Sequence, residues 1–327
     1  QLLQLFATPY DDAEHTAGII LKDRVEREEL PRSTKAETVQ TIERLLKEAL
    51  TAFDTTTRPP YGSAPGFVNA ATARALLARL YLYAGDWAKA EEVTRTLVPT
   101  TLPASMIPTT PLEWSQGTSA VALFACSVPV TYYNSIYAQA KSVANATYQL
   151  PQRSYLASTD LRHRSYALDS TLQVDATTTR SLQIVGKYAA LLFAGGLPSY
   201  NCVVRRTEPI FLRAEALARS GDETAARDLL NSYLRLVGAD EVASTVTGTA
   251  LIDAIITEKA REFAGEGLRF FDLKRLGLPI EHYTPNEERV SLTLPAGSYK
   301  RTLPLPASER SNKNLGAQNP GWPELTH

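Results

Sequence analysis

The sequence predicts a mainly α fold in which paired helices build a helical-repeat superhelix, interrupted by one irregular, loop-rich region. Three observations lead there. Apolar residues recur at helical spacing over long stretches near both ends of the chain. Two of those stretches turn on the same Gly-Asp step, Gly85-Asp86 and Gly221-Asp222. Between them, residues 99–204 lose the helical period and gather Pro, Thr, Ser and Tyr.

The elements follow in order. Thr34 and Glu37 make a Thr-x-x-Glu capping box, and Val39, Ile42, Leu45, Leu46, Ala49 and Phe53 continue at helical spacing. The Thr-, Pro- and Gly-rich run 55–65 predicts a loop. The next helix is predicted from Asn69 to Ala84, with Ala73, Leu76, Leu77, Leu80 and Tyr81 on its apolar side. Gly85 ends it, and Asp86 caps a helix carrying Trp87, Ala90, Val93 and Leu97, which Pro99 stops. The same grammar returns with Pro209 in a first turn, then Leu212, Ala216 and Leu217 leading to Gly221-Asp222. Ala225, Ala226, Leu229, Leu230, Tyr233 and Val237 follow, closed by Gly238. In both copies an alanine, Ala90 or Ala226, stands five residues after the glycine. A small side chain there lets two antiparallel helices approach. This is the logic of a tetratricopeptide-like hairpin, and it assigns Trp87 to packing rather than to a ligand platform.

Between the hairpins, Val121–Ala125 reads as a short extended or buried run. Residues 128–166 hold Tyr132, Tyr133, Tyr137, Tyr148, Tyr155 and Tyr166, six of the chain's 15 tyrosines.

Composition narrows the function. The chain has 327 residues, is 44% hydrophobic, and carries a formal net charge of −1 with a pI near 6.5. No basic stretch stands out, which argues against a nucleic-acid partner. The longest apolar runs, Val121–Cys126 and Ala189–Phe193, fall far short of the ~20 residues of a membrane span. Cys126 and Cys202, the only two cysteines, have no metal-type spacing and fit either a disulfide or two free thiols. The four histidines, His15, His163, His282 and His327, include no pair at metal-ligand spacing. A Gly-x-Ser-x-Gly elbow and a phosphate-binding loop are both absent, and Gly265 and Gly267 lack the third glycine of a dinucleotide site. Neither a catalytic group nor a cofactor is therefore called. The enzyme reading kept for comparison is a paired-carboxylate glycosidase drawing on Asp160, Asp169 and Asp175.

The most informative run is residues 255–275. Ile252, Ile255, Ile256 and Phe263 share a helical face, with Glu258, Arg261 and Glu262 beside it. Gly265 and Gly267 break the helix, and Arg269, Asp272 and Arg275 alternate with Phe270, Phe271 and Leu273. Charges mixed this tightly with aromatics predict a partly buried, mutually paired network with a structural role.

This Glu-x-x-Arg-Glu-Phe-x-x-Glu-Gly-x-Arg-Phe-Phe-Asp-Leu-x-Arg run resembles the C-terminal signature of the SusD/RagB family. Leu303-Pro304-Leu305-Pro306 and Gln318-Asn319-Pro320-Gly321-Trp322 resemble the family's closing motifs, in the family's order. Asp160-Leu161-Arg162, and Lys187-Tyr188 ahead of an expected Arg205–Ala218 helix, match as scaffold. The resemblance implies one SusD-like domain over 1–327, with a helical-repeat part (1–98), an irregular ligand-facing part (99–204) and a C-terminal helix pair with signature (205–327). It implies a non-enzymatic, surface-exposed, lipid-anchored protein of the outer membrane of Bacteroidetes-type bacteria. Such a protein captures an oligosaccharide or other nutrient for a TonB-dependent transporter. Gln1–Phe6 reads as the interior of a helix, and an N-terminal portion ahead of it is expected. The competing class is a helical-repeat scaffold that binds protein and no small ligand.

Sugar capture needs flat apolar faces with polar edges, which tyrosine supplies at little entropic cost. Tyr132, Tyr133, Asn134, Tyr137 and Tyr148 have that chemistry, and they lie where no family motif assigns a scaffold role. They are the predicted ligand-binding residues.

Overall fold

A computed structural model of the chain describes residues 1–25, 28–55, 65–116, 118, 120–128, 150–151, 154–173, 176–187, 199–283 and 290–324. The fold is mainly helical with small two-stranded sheets. It comprises two compact units: unit 1 takes residues 1–48, 270–282 and 291–327, and unit 2 takes 49–269 and 283–290.

Unit 2 holds the helix pairs. Helix α3 (Ala70–Ala84) begins where the Asn69 side chain accepts a hydrogen bond from the Thr72 N–H at 3.0 Å. It turns at Gly85-Asp86 into α4 (Trp87–Arg95), whose first turn Asp86 caps through the Lys89 N–H. Helix α6 (Glu208–Arg219) carries Pro209 in its first turn, where a missing N–H is harmless. It turns at Gly221-Asp222 into α7 (Glu223–Val237), capped by Asp222. Ala90 and Ala226 are both completely buried. Helix α4 also packs on α6, and α8 (Gly248–Glu262) packs on α6 and α7. Phe211, Tyr233 and Phe263 meet edge to face in this core, with centroids 4.8 Å (Phe211–Tyr233) and 5.7 Å (Phe211–Phe263) apart.

The middle of the chain supplies short α5 (Pro111–Gln116) and four strands. β1 (Ala122–Val128) pairs antiparallel with β4 (Ser199–Arg205), and β2 (Ala167–Gln173) with β3 (Thr179–Val185). The extended run expected at Val121–Ala125 is the start of β1, with Val121, Ala122, Leu123 and Ala125 buried. The helix expected from Arg205 instead starts at Glu208. Arg205 closes β4 opposite Ala122, and the Arg206 N–H still bonds Val121 O at 2.9 Å, so strand pairing wins locally. Cys126 and Cys202 are free, the first exposed and the second buried. Cys126 faces Asn201 and Cys202 faces Ala125, so the two thiols project from opposite faces of the pleat.

Unit 1 contains α1 (Leu2–Phe6), the first part of α2 (Lys35–Thr55) and most of α9 (Arg269–Arg275). β5 (Ile280–Tyr283) and β6 (Val290–Leu294) form a third two-stranded sheet. The capping box is made as expected: Thr34 N–H bonds Glu37 Oε2 at 2.8 Å, and Glu37 N–H bonds Thr34 Oγ1 at 3.1 Å. The closing segment is held by side-chain amides. Prolines flank Leu305 on both sides and donate nothing. Gln318 takes up both backbone groups of Leu305, accepting its N–H at 2.6 Å and donating to its O at 3.2 Å. Asn319 donates to Phe6 O and Leu303 O, and it accepts from Arg32 at 2.9 Å.

Candidate functional site

The five predicted binding residues, Tyr132, Tyr133, Asn134, Tyr137 and Tyr148, lie outside the described residues. What surrounds them in sequence is well tied down. Val128, the last residue of β1, pairs with Ser199, the first of β4. On the far side Leu150 is buried, and its N–H bonds Gln183 O on β3 at 2.8 Å. The Gln183 side chain then clamps Leu156 through both its N–H (2.9 Å) and its O (3.0 Å).

Beneath this frame lies the charge network foreseen from the signature. Glu262, on α8, is completely buried. Its Oε1 meets Arg205 at 2.7 Å and accepts from Thr207 Oγ1 at 2.8 Å and from the Tyr166 hydroxyl at 3.1 Å. Its Oε2 accepts from the Tyr233 hydroxyl and faces Arg162 at 3.5 Å. Burial pushes the Glu262 carboxyl up, but Arg205, Arg162 and Lys187 outweigh it and hold it below the ordinary carboxylate range. Arg162 also pairs with Asp160 and Glu258, each at 2.6 Å. Glu266 binds Lys187 at 2.6 Å and Arg205 at 3.1 Å. Arg205 stacks over Trp114 at 4.5 Å, and Lys187 lies 4.6 Å from the Tyr166 ring centre. Gly265, in the turn after α8, adopts φ +78°, and a Cβ there would stand 2.9 Å from Val185 Cγ1, so this turn requires glycine.

Every charge in this knot is answered by protein, so the arrangement stabilises a fold rather than presenting a reactive group. Asp160 is bound by Arg162 in the knot, and Asp169 faces His163 at 3.2 Å. Asp175 lies outside the described residues. Arg261, expected in the network, pairs with Glu258 at 3.0 Å. Asp272 belongs to unit 1 and pairs there with Arg275 at 2.7 Å.

Among the described residues, unit 1 carries open cavities of about 360 and 400 Å³, which share Thr8, His15 and Pro320. Tyr299 lines the smaller. Among the described residues there is no cluster of three or more metal-ligating side chains, and no helix is long and apolar enough to cross a membrane.

The SusD-family profile matches residues 130–322, from the tyrosine-rich stretch through the signature to the closing motif. The chain belongs to the SusD family. Its fold is that of solved SusD structures. A SusD superfamily protein of Bacteroides vulgatus is 24% identical, with a TM-score of 0.72, over 98% of this chain and 74% of the other. One from Bacteroides thetaiotaomicron is 21% identical, with the same coverage and a TM-score of 0.72. A SusD-like carbohydrate binding protein of Bacteroides vulgatus is 18% identical, with a TM-score of 0.71, over 96% and 73%. At these identities the likenesses speak for fold alone. Among curated proteins none matches the chain. SusD-family proteins are carbohydrate-binding and non-enzymatic, and typically lipoproteins of the cell surface.

Proposed function

We propose that this chain captures an oligosaccharide outside the cell and passes it to a TonB-dependent transporter in the outer membrane. In this reading it sits beside the transporter as a surface-exposed, lipid-anchored protein. The observation that carries the reading is the SusD-family match over 130–322, which includes both the signature and the closing motif. The helix pairs α3–α4 and α6–α7, joined through α4 and α6, are read as a short tetratricopeptide-like superhelix. Their role is to hold the irregular region rigidly, because a pre-organised surface loses less entropy on binding.

The ligand surface in this reading includes Tyr132, Tyr133, Asn134, Tyr137 and Tyr148. Their rings supply flat apolar faces and their hydroxyls, with the Asn134 amide, supply the orienting hydrogen bonds. Support comes from the firm ties on both sides of 129–149, at Ser199 and Gln183. The test is an array of plant, host and microbial oligosaccharides, followed by calorimetry with any that binds. Binding that weakens in Tyr→Ala variants of the stretch supports the reading. An array on which nothing binds favours a protein-binding scaffold instead.

A further inference from the structure

The smaller cavity of unit 1 holds an aromatic ring that the closing motif fixes in place. Tyr299 is 42% exposed and lines the cavity. Gly321, at φ +79°, lies flush against it: a Cβ at that position would stand 2.4 Å from Tyr299 Cγ and 2.7 Å from its Cβ. Trp322 meets the ring edge to face at 5.2 Å and 88°, and its indole N–H is anchored on Thr302 O at 2.7 Å. The Ser298 hydroxyl accepts from the Lys300 N–H, closing the turn that carries the ring. The Gly-Trp pair thus orients Tyr299 while leaving part of it open.

The part of the lining from Thr8 to His15 is polar and also fixed. The Asp12 carboxylate accepts the backbone N–H of His15 at 3.2 Å and faces the His15 ring at 3.0 Å. Thr8 donates to His15 O at 3.0 Å. Buried Lys35 ties the loop from below, through Thr8 Oγ1 at 3.1 Å, Pro9 O at 2.6 Å and Asp12 O at 2.7 Å. Asp11 lines the same cavity and is exposed.

We infer that this cavity is a second carbohydrate subsite, taking a neutral pyranose with its C–H face on Tyr299 and its hydroxyl edge toward Asp11, Asp12 and His15. A partly exposed ring and two carboxylates lining one cavity match the two-sided chemistry of a sugar, with an apolar face and a rim of hydroxyl donors. A volume of about 360 Å³ falls within the small-ligand range. The adjoining cavity of about 400 Å³ lets a longer chain continue past Thr8 and His15. The inference rests on the glycan-capture reading but places a contact in unit 1, outside the tyrosine-rich stretch.

Saturation-transfer NMR with the methyl glycosides of glucose, galactose, mannose and xylose tests it directly. At least one should receive transfer from the parent chain, lose it in Tyr299→Ala and keep it in Tyr299→Phe. The loss in affinity should be at least about tenfold. Should Tyr299→Ala fail to fold, Asp11→Asn, at an exposed position, takes its place and should weaken binding at least about threefold. No transfer to any glycoside in the parent overturns the subsite, as does undiminished binding in the variant used. Oligosaccharides that still bind on the array would then leave the capture reading standing, whereas an empty array beside positive glycosides would count against oligosaccharide capture and leave the subsite standing.

Discussion

Arg205, at the end of β4, and Glu262, on α8, meet at 2.7 Å with neither side chain reaching solvent. The contact ties the irregular middle of the chain to the signature helix. Truncating Glu262 to alanine would strand Arg205 and Arg162 as buried, under-compensated cations. The expected cost is ~3–5 kcal/mol by urea denaturation. Glu241 and Arg235 make an equally short pair, 2.6 Å, but in the open. Glu241→Ala should cost less than ~1 kcal/mol. Equal costs for the two variants would show that burial does not set the strength of the network.

Ala226 carries the second prediction. It is completely buried in α7, within the pair it forms with α6. Ala226→Leu forces extra methyl and methylene groups into a closed contact, at a cost of ~1–3 kcal/mol. Ala88, exposed on α4, is the control, and Ala88→Leu should move stability by less than ~0.5 kcal/mol. Similar midpoints for the two variants would mean that the small residue after Gly-Asp is not a packing requirement.

These helix pairs were legible because period, caps and turn residues all act within a few positions of one another. The charge network was legible by halves. Glu258, Glu262 and Glu266 stand in one run with Arg261, which pairs with Glu258, but the buried cations Arg162 and Lys187 come from the irregular region and Arg205 from the end of β4, and spacing along a chain does not say which buried charges meet. The cavity at Tyr299 was missed altogether. Its walls come from opposite ends of the chain, and nothing around Ser298-Tyr299-Lys300 has a pattern. The one available signal was Gly321-Trp322, read as a family ending rather than as a clamp on an aromatic ring. Tyrosine density points to Tyr132–Tyr148, which lies outside the described residues, and density reports composition rather than exposure.

Gly321 gives a third prediction. An alanine there must adopt a left-handed backbone conformation, which costs ~1–2 kcal/mol by itself. It must also displace the Tyr299 ring, whose Cγ would lie 2.4 Å from the new Cβ. Gly321→Ala should therefore cost more than ~2 kcal/mol in total. In the double variant Gly321→Ala, Tyr299→Ala the 2.4 Å contact with the ring is removed while the Cβ at 2.7 Å stays, so the loss should shrink without falling to the backbone part alone. Equal losses with and without the Tyr299 ring would show that the clash is not what demands glycine.

The last prediction concerns pH. Lys274 is buried in unit 1 and donates to Gln4 O and Ala7 O, each at 2.7 Å. Burial lowers its pKa from 10.5 to about 8, helped by repulsion from Arg301 and Lys35. The sign follows from proton counting. Between about 8 and 10.5 the unfolded lysine holds its proton while the folded one has released it. The unfolded state binds more protons there, so stability rises with pH across that window. The gap corresponds to ~3 kcal/mol, charged as a penalty below pH 8 and relieved by pH 10.5. The neutral amine keeps two N–H donors for its two carbonyls, so release costs no hydrogen bond. Lys187, also lowered to about 8 by burial against the pull of Glu266, adds to the parent in the same direction. The measurement is therefore a difference, with denaturation midpoints of the parent and of Lys274→Met followed from pH 7 to pH 10.5. The parent should gain on the variant as pH rises, by up to ~3 kcal/mol. Parallel curves would mean that Lys274 stays protonated in the fold across the whole window.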